Sequence, residues 1–145
     1  GPVMAELFMK DGGTCRGAGG SMHIFDKETY FQGGWALVGE QLPYACGAAK
    51  SILLDRAMGL SDDENIEKQD VPPPADDDRI SVVFVGEGGA QNGRMAELLN
   101  SASKDNLPLL VIVIDNGRAI NTFTPDIAQN SNVYEAGKHY GVPGL

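Results

Sequence analysis

ISVVFVGEGGAQNGRMAELLNSASKDNLPLLVIVIDNG, residues 80–117, is the stretch that decides the fold. Ile80 to Val85 is a short β-branched run, and Leu109 to Ile114 is a second. Between them, over Arg94 to Lys104, Met95, Leu98, Leu99 and Ala102 recur at helical spacing. The order is strand, glycine loop, helix, strand. A nearly all-apolar strand at each end marks a parallel pair within a βαβ unit. The stretch therefore predicts an α/β fold with a parallel sheet flanked by helices.

Upstream, Leu42, Ala45, Cys46, Ala49, Ile52 and Leu53 follow the i, i+3, i+4, i+7 pattern and predict a helix over Leu42 to Met58. Pro43 suits its first turn and Gly59 its end. Val3 to Met9 reads as the end of another helix. The five glycines between Asp11 and Met22 exclude a regular helix there. Such a loop either turns sharply or admits a ligand to its backbone. From Ser61 to Asp78, eight acidic residues face one base, Lys68, and Pro72-Pro73-Pro74 follows the same theme. This reads as a solvated, exposed insertion. Beyond Ile114 the pattern breaks into loop, with a short helical stretch near Val133 to Lys138.

The 145 residues, 42% of them hydrophobic, suit one soluble globular domain. The formal charge of −9 argues against nucleic-acid binding, which calls for clustered Lys and Arg. The longest apolar run, Leu107 to Ile114, is too short to span a bilayer, so no membrane insertion is expected. No signal or transit peptide pattern is visible. Cys15 and Cys46 form no CxxC pair, which fits a reducing compartment. Cys46 falls on the apolar helix face, where it acts as a small hydrophobe.

In a parallel sheet, ligands bind beyond the carboxyl ends of the strands. Those ends are Gly86-Glu87-Gly88-Gly89 and Asp115-Asn116-Gly117. A carboxylate and a carboxamide converging there suit a hard cation such as Mg²⁺. The helix beginning near Asn92 or Gly93 turns its N-terminus to the same edge and favours a phosphate. Against this stands the plainer reading that any βαβ unit carries polar, glycine-rich loops. A nucleotide fingerprint does not fit, because Gly86 to Gln91 lacks G-x-G-x-x-G and no P-loop lysine follows. His/Cys metal spacing and a hydrolase triad also lack support, with Ser21 and Ser131 showing no base partner. His23 reads as positional, His139 as solvated, and Trp35 and Tyr44 as packing first and interface second.

With their flanks, these loops resemble the alpha subunits of thiamine-diphosphate-dependent 2-oxo acid dehydrogenases, most of all pyruvate dehydrogenase. That family has a Gly-Asp-Gly loop, then a helix and strand, in all about thirty residues, before an Asn-Asn pair. Here Gly86-Glu87-Gly88 and Asp115-Asn116 stand in those places. Arg16-Gly17-Ala18-Gly19-Gly20-Ser21-Met22-His23 is similar to the family's glycine loop. Gly33-Gly34-Trp35-Ala36-Leu37-Val38-Gly39-Glu40-Gln41-Leu42-Pro43 is similar to its next segment, continued by Ala45 to Ala48. Asn92-Gly93, Glu97, Asn100, Leu107-Pro108 and Val142-Pro143-Gly144 fall in register. The spacing from His23 to Gly33-Gly34 and the Arg118-Ala119-Ile120 segment resemble the plastid and cyanobacterial branch.

The resemblance implies the thiamine-diphosphate-binding fold, incomplete relative to the family. It implies one partial diphosphate- and metal-binding domain over residues 1–145, with the acidic insertion at about 61–78. Thiamine diphosphate and Mg²⁺ are the implied cofactors. Glu87, Asn116 and the Arg118 carbonyl are the implied metal ligands. Gly88 and Gly89 would contact the diphosphate through their backbone, and Ala36 and Val38 would line the thiamine ring. No catalytic side chain is assigned to this chain, because the beta subunit supplies the activating glutamate. The implied function is oxidative decarboxylation of pyruvate towards acetyl-CoA, in an alpha-beta heterotetramer feeding a lipoyl acyltransferase core. The implied location is the plastid stroma, with the mitochondrial matrix as the alternative.

The chain departs from the family at four points. Glu87 replaces the aspartate, which shifts the carboxylate by about 1.5 Å where Mg²⁺ bonds of about 2.0–2.1 Å tolerate little error. Asp115 replaces the first asparagine. The Tyr-Arg pair that grips the diphosphate belongs upstream of Val3, and the histidine-bearing loop belongs after Leu145. Two readings follow: a fragment of a longer catalytic subunit, inactive alone, or a truncated relative serving as a structural or binding subunit.

Overall fold

A computed structural model describes residues 1–58, 77–130 and 132–144. Gly59, Ser131 and most of the acidic insertion therefore lie outside the described residues. The chain forms two compact units, Gly1–Gln41 and Leu42–Leu145.

In the first unit, helix α1 (Pro2–Leu7) has Pro2 in its first turn, where a missing N–H costs nothing. The glycine-rich loop wraps around one side chain of that helix. Glu6 is fully buried. Its Oε2 accepts the N–H groups of Cys15 (2.7 Å) and Gly17 (2.9 Å), and its Oε1 accepts those of Gly19 (2.6 Å) and Gly20 (3.2 Å). Burial pushes the Glu6 carboxyl up, but the four donors outweigh it and hold the group below its usual range. Gly17 makes the wrap possible: its φ is +77°, and a Cβ there would lie 2.5 Å from the Met9 carbonyl carbon. Of the two roles open to a glycine loop, the structure shows the sharp turn. The Cys15 thiol closes the curl by donating to the His23 carbonyl at 2.9 Å.

In the second unit, β1 (Ser81–Gly86) and β2 (Leu109–Ile114) pair in parallel, from Ser81 opposite Leu109 to Gly86 opposite Ile114. The fold is α/β, as the sequence predicted. The crossover runs through α3 (Glu87–Ala90) and α4 (Gly93–Asp105). Asn92 caps α4, its side-chain oxygen accepting Arg94 N–H at 3.1 Å. Asn106 ends the helix in the left-handed region, φ 49°. The α4 stripe of Met95, Leu98 and Leu99 meets Val83 and Val85 of β1 and Leu42 of helix α2 (Gln41–Met58) in one core. Leu109, Val111 and Val113 join from β2, and Cys46 joins from α2, as its helical spacing predicted. Burial, then the Asp105 charge, raise the Cys46 thiol above its ordinary value. Ser81 Oγ donates to the Ala45 carbonyl at 2.9 Å, and Lys50 pairs with Asp105 at 2.6 Å, so α2 is tied to β1 and α4.

The opposite face of the strand pair is exposed at Val82, Phe84, Leu110 and Ile114. Parallel sheets are usually covered on both faces, so this apolar surface stands out.

Three expectations need correction. Gly86 to Gly89 reads as loop but turns helical from Glu87, because Gly86 caps the turn in an extended conformation (φ −76°, ψ 163°). The tail after Ile114 holds more structure than one helix. It forms a small hairpin of β3 (Arg118–Ala119) and β4 (Thr122–Phe123), then α5 (Thr124–Ile127) and α6 (Val133–His139). Finally, Asp77 is not a solvated member of the acidic run. It accepts Arg79 at 2.9 and 3.0 Å and Arg56 at 3.2 Å, with 5% of its side chain exposed. The Arg79 hydrogen bond chiefly holds its carboxyl far below the usual range, against the effect of burial. Arg56 also donates to the Arg79 carbonyl at 2.6 Å, and Arg79 pairs with Asp55 at 3.5 Å.

Candidate functional site

The site lies at the carboxyl ends of β1 and β2, where the parallel register brings Gly86 beside Ile114. Glu87 follows Gly86 as the first residue of α3. Its side chain is only 3% exposed. Its Oε1 finds no hydrogen-bond partner among the described residues. An ionised carboxylate prefers several donors, so a buried oxygen without one is costly.

Gly88 and Gly89 continue α3, which packs against β3 and α5. A Cβ on Gly88 would lie 2.8 Å from the Ala119 Cβ, so only glycine fits this approach of α3 to β3. Gly89 is buried.

The second loop turns on its own side chains. Asp115 Oδ1 accepts Gly117 N–H at 2.7 Å, and Asn116 Oδ1 accepts Arg118 N–H at 3.0 Å. Gly117 between them has φ +80°. These are Asx turns, the local alternative that short polar side chains offer the backbone. Asn116 and Arg118 are exposed, and the Arg118 guanidinium lies 4.1 Å from the Phe123 ring centroid.

Glu87, Gly88, Gly89, Asn116 and Arg118 thus all belong to the second unit and to its strand-end loops. Ala36 and Val38 belong to the first unit, where both are exposed. His23 is exposed, with its N–H donated to the Gly19 carbonyl at 3.3 Å. His139 ends α6, its ring edge-on to Tyr140 at 4.9 Å. Among the described residues, no three His, Cys, Asp or Glu side chains gather as a metal group, and no helix is long and apolar enough to cross a membrane.

Sequence reasoning missed Thr124. It opens α5, is 2% exposed, and its Oγ1 has no hydrogen-bond partner among the described residues. Its N–H donates to the Gly117 carbonyl at 3.0 Å. The available signal was Thr124-Pro125-Asp126, a helix start placed just after the second loop.

The profile of the family described as "Dehydrogenase E1 component" matches residues 2–145. Over 143 residues the chain is 38% identical to the pyruvate dehydrogenase E1 component subunit alpha-3, chloroplastic, of Arabidopsis thaliana, covering 99% of this chain and 30% of that one. It is 34% identical to the pyruvate dehydrogenase E1 component subunit alpha of Porphyra purpurea, covering 99% and 38%. It is 28% identical to the mitochondrial subunit alpha-1 of Arabidopsis thaliana, covering 99% and 31%. The chain therefore spans about a third of the length of these relatives. A match over nearly every residue, on a parallel βαβ unit with its two loops at one sheet edge, shows that the chain belongs to the dehydrogenase E1 component family.

Proposed function

We propose that this chain is the part of a pyruvate dehydrogenase alpha subunit that holds thiamine diphosphate and Mg²⁺. The observation that carries the reading is the Glu87 carboxylate, buried at the end of β1 with one oxygen lacking a partner. A cation there would satisfy that oxygen. Asn116 would add its carboxamide oxygen, which still has a second lone pair beyond its bond to Arg118 N–H. The Arg118 carbonyl is the third proposed ligand. This oxygen set suits Mg²⁺ better than a transition metal.

Gly88 and Gly89, lacking side chains, would let a diphosphate approach the backbone. Ala36 and Val38 are proposed for the thiamine ring on resemblance alone. Bound there, thiamine diphosphate supplies the electron sink for losing CO₂ from a 2-oxo acid. The task of this chain is to fix the cation and the diphosphate, and the remaining catalytic groups would come from a beta subunit. The names of the relatives support pyruvate as substrate and a plastid location, with the mitochondrial matrix second, while the alpha-beta heterotetramer and its lipoyl acyltransferase core are proposed on resemblance alone.

A non-catalytic role is favoured by one observation: the Asp115 and Asn116 oxygens both serve their own loop. Calorimetric titration with thiamine diphosphate and Mg²⁺, on the chain alone and with a matching beta subunit, separates the two. The cofactor reading expects metal-dependent binding that weakens more than about 100-fold in Glu87→Ala, beyond the roughly 10–100-fold that outer partners of a metal cost. Asn116→Ala should act in the same direction. A folded sample with no metal-dependent uptake in either setting favours the structural role.

A further inference from the structure

The described residues contain two buried side-chain atoms without a hydrogen-bond partner, Glu87 Oε1 and Thr124 Oγ1. They do not lie in unrelated places. Glu87 opens α3 and Thr124 opens α5, and α3 packs against α5. Thr124 is also anchored to the second loop. Its N–H holds the Gly117 carbonyl at 3.0 Å, at the residue between Asn116 and Arg118. Its position is therefore fixed by the segment that carries two of the three proposed ligands and by the helix that carries the other.

We propose that Thr124 is a positioning residue of the same site, its hydroxyl holding a water of the cation that Glu87, Asn116 and Arg118 bind. This rests on the cofactor reading above. The chemistry favours a water over a direct bond, because Mg²⁺ sheds its waters reluctantly and is usually held by one or two carboxylates plus several waters. A hydroxyl is suited to such a water, since its oxygen has lone pairs to accept from the water. A threonine also loses little rotamer freedom when it is fixed this way. Two orphaned polar atoms at one sheet edge are then explained by one polar guest, instead of by two separate costs.

Thr124→Val keeps the shape and removes the hydroxyl, and Thr124→Ser keeps the hydroxyl and removes the methyl. Both are made in the full subunit within its native assembly. Two quantities are read: the Mg²⁺ or Mn²⁺ concentration that half-saturates thiamine diphosphate binding, and the melting temperature without cofactor. The expected result is that Thr124→Val raises the half-saturating metal concentration by about tenfold, while Thr124→Ser stays near wild type. Without cofactor, Thr124→Val should melt no lower than wild type, because its buried hydroxyl had no bond to lose. A merely structural threonine would shift melting and leave the metal dependence unchanged, and that outcome overturns the inference. Wild-type protein that takes up no cofactor with metal overturns the reading of the site itself, and this inference with it.

Discussion

Two glutamates of this chain are buried to nearly the same degree, Glu6 and Glu87, and their surroundings are opposite. Glu6 receives four backbone N–H groups, two on each oxygen. Glu87 sits at a strand end with one oxygen lacking any partner among the described residues. The first carboxylate is consumed by the fold, since its charge organises a loop that could not otherwise satisfy its amides. The second is left with binding capacity. Burial alone therefore does not mark a functional acid. Burial with unspent hydrogen-bonding capacity is what makes Glu87 the candidate.

The comparison breaks most sharply at Glu6. Glu6→Ala strands four amides, and hydrogen exchange at Cys15, Gly17, Gly19 and Gly20 should accelerate by at least about tenfold, the worth of one hydrogen bond to a charged group. Amides of α4, in the other unit, serve as the internal standard. Unchanged exchange in the loop would mean that the glycine turns hold without the carboxylate.

Acid sharpens the contrast next. The folded Glu6 carboxyl lies below its ordinary value of 4.5, and the folded Asp77 carboxyl lies below 3.8. Both contribute stability that is fully present above those values. That stability is lost as pH falls, because the unfolded chain takes up protons that the folded chain refuses. Unfolding midpoints measured from pH 6 to pH 2 should decline below about pH 4.5. Glu6→Gln or Asp77→Asn should flatten the decline, and equal slopes in wild type and variants would refute the assignment.

The smallest effect is expected at Glu87 itself. Glu87→Met removes a buried carboxylate with an unmet oxygen and fills similar volume. Without cofactor it should be more stable by about 1 kcal/mol, read by denaturant titration. A loss of that size instead would show that Glu87, like Glu6, is held by the fold.

The sequence revealed the elements that repeat. α2, α4, β1 and β2 lie within about a residue of where the sequence put them, since helical apolar spacing over ten or more residues, and short β-branched runs on either side of α4, are hard to mistake. The strand-end position of Glu87 and Asn116 followed from the βαβ order. Three things were hidden for physical reasons. β3 and β4 are two residues each and carry no periodic signal. The four donors of Glu6 come from a loop nine to fourteen residues away, and nothing in a lone acidic residue announces them. Counting charge from Ser61 to Asp78 took Asp77 for a solvated acid, although Arg56 and Arg79 on either side of the insertion claim it.

The arginine-aspartate cluster has a consequence for how this fold can be altered. Asp55 and Arg56 close on Asp77 and Arg79, so the ends of the intervening segment are stapled together from outside it. The last turns of α2 and the entry to β1 are thus clamped by charge as well as by their shared core. Opening that clamp with Arg56→Ala or Asp77→Ala should loosen the end of α2 from the start of β1, read as faster hydrogen exchange at both.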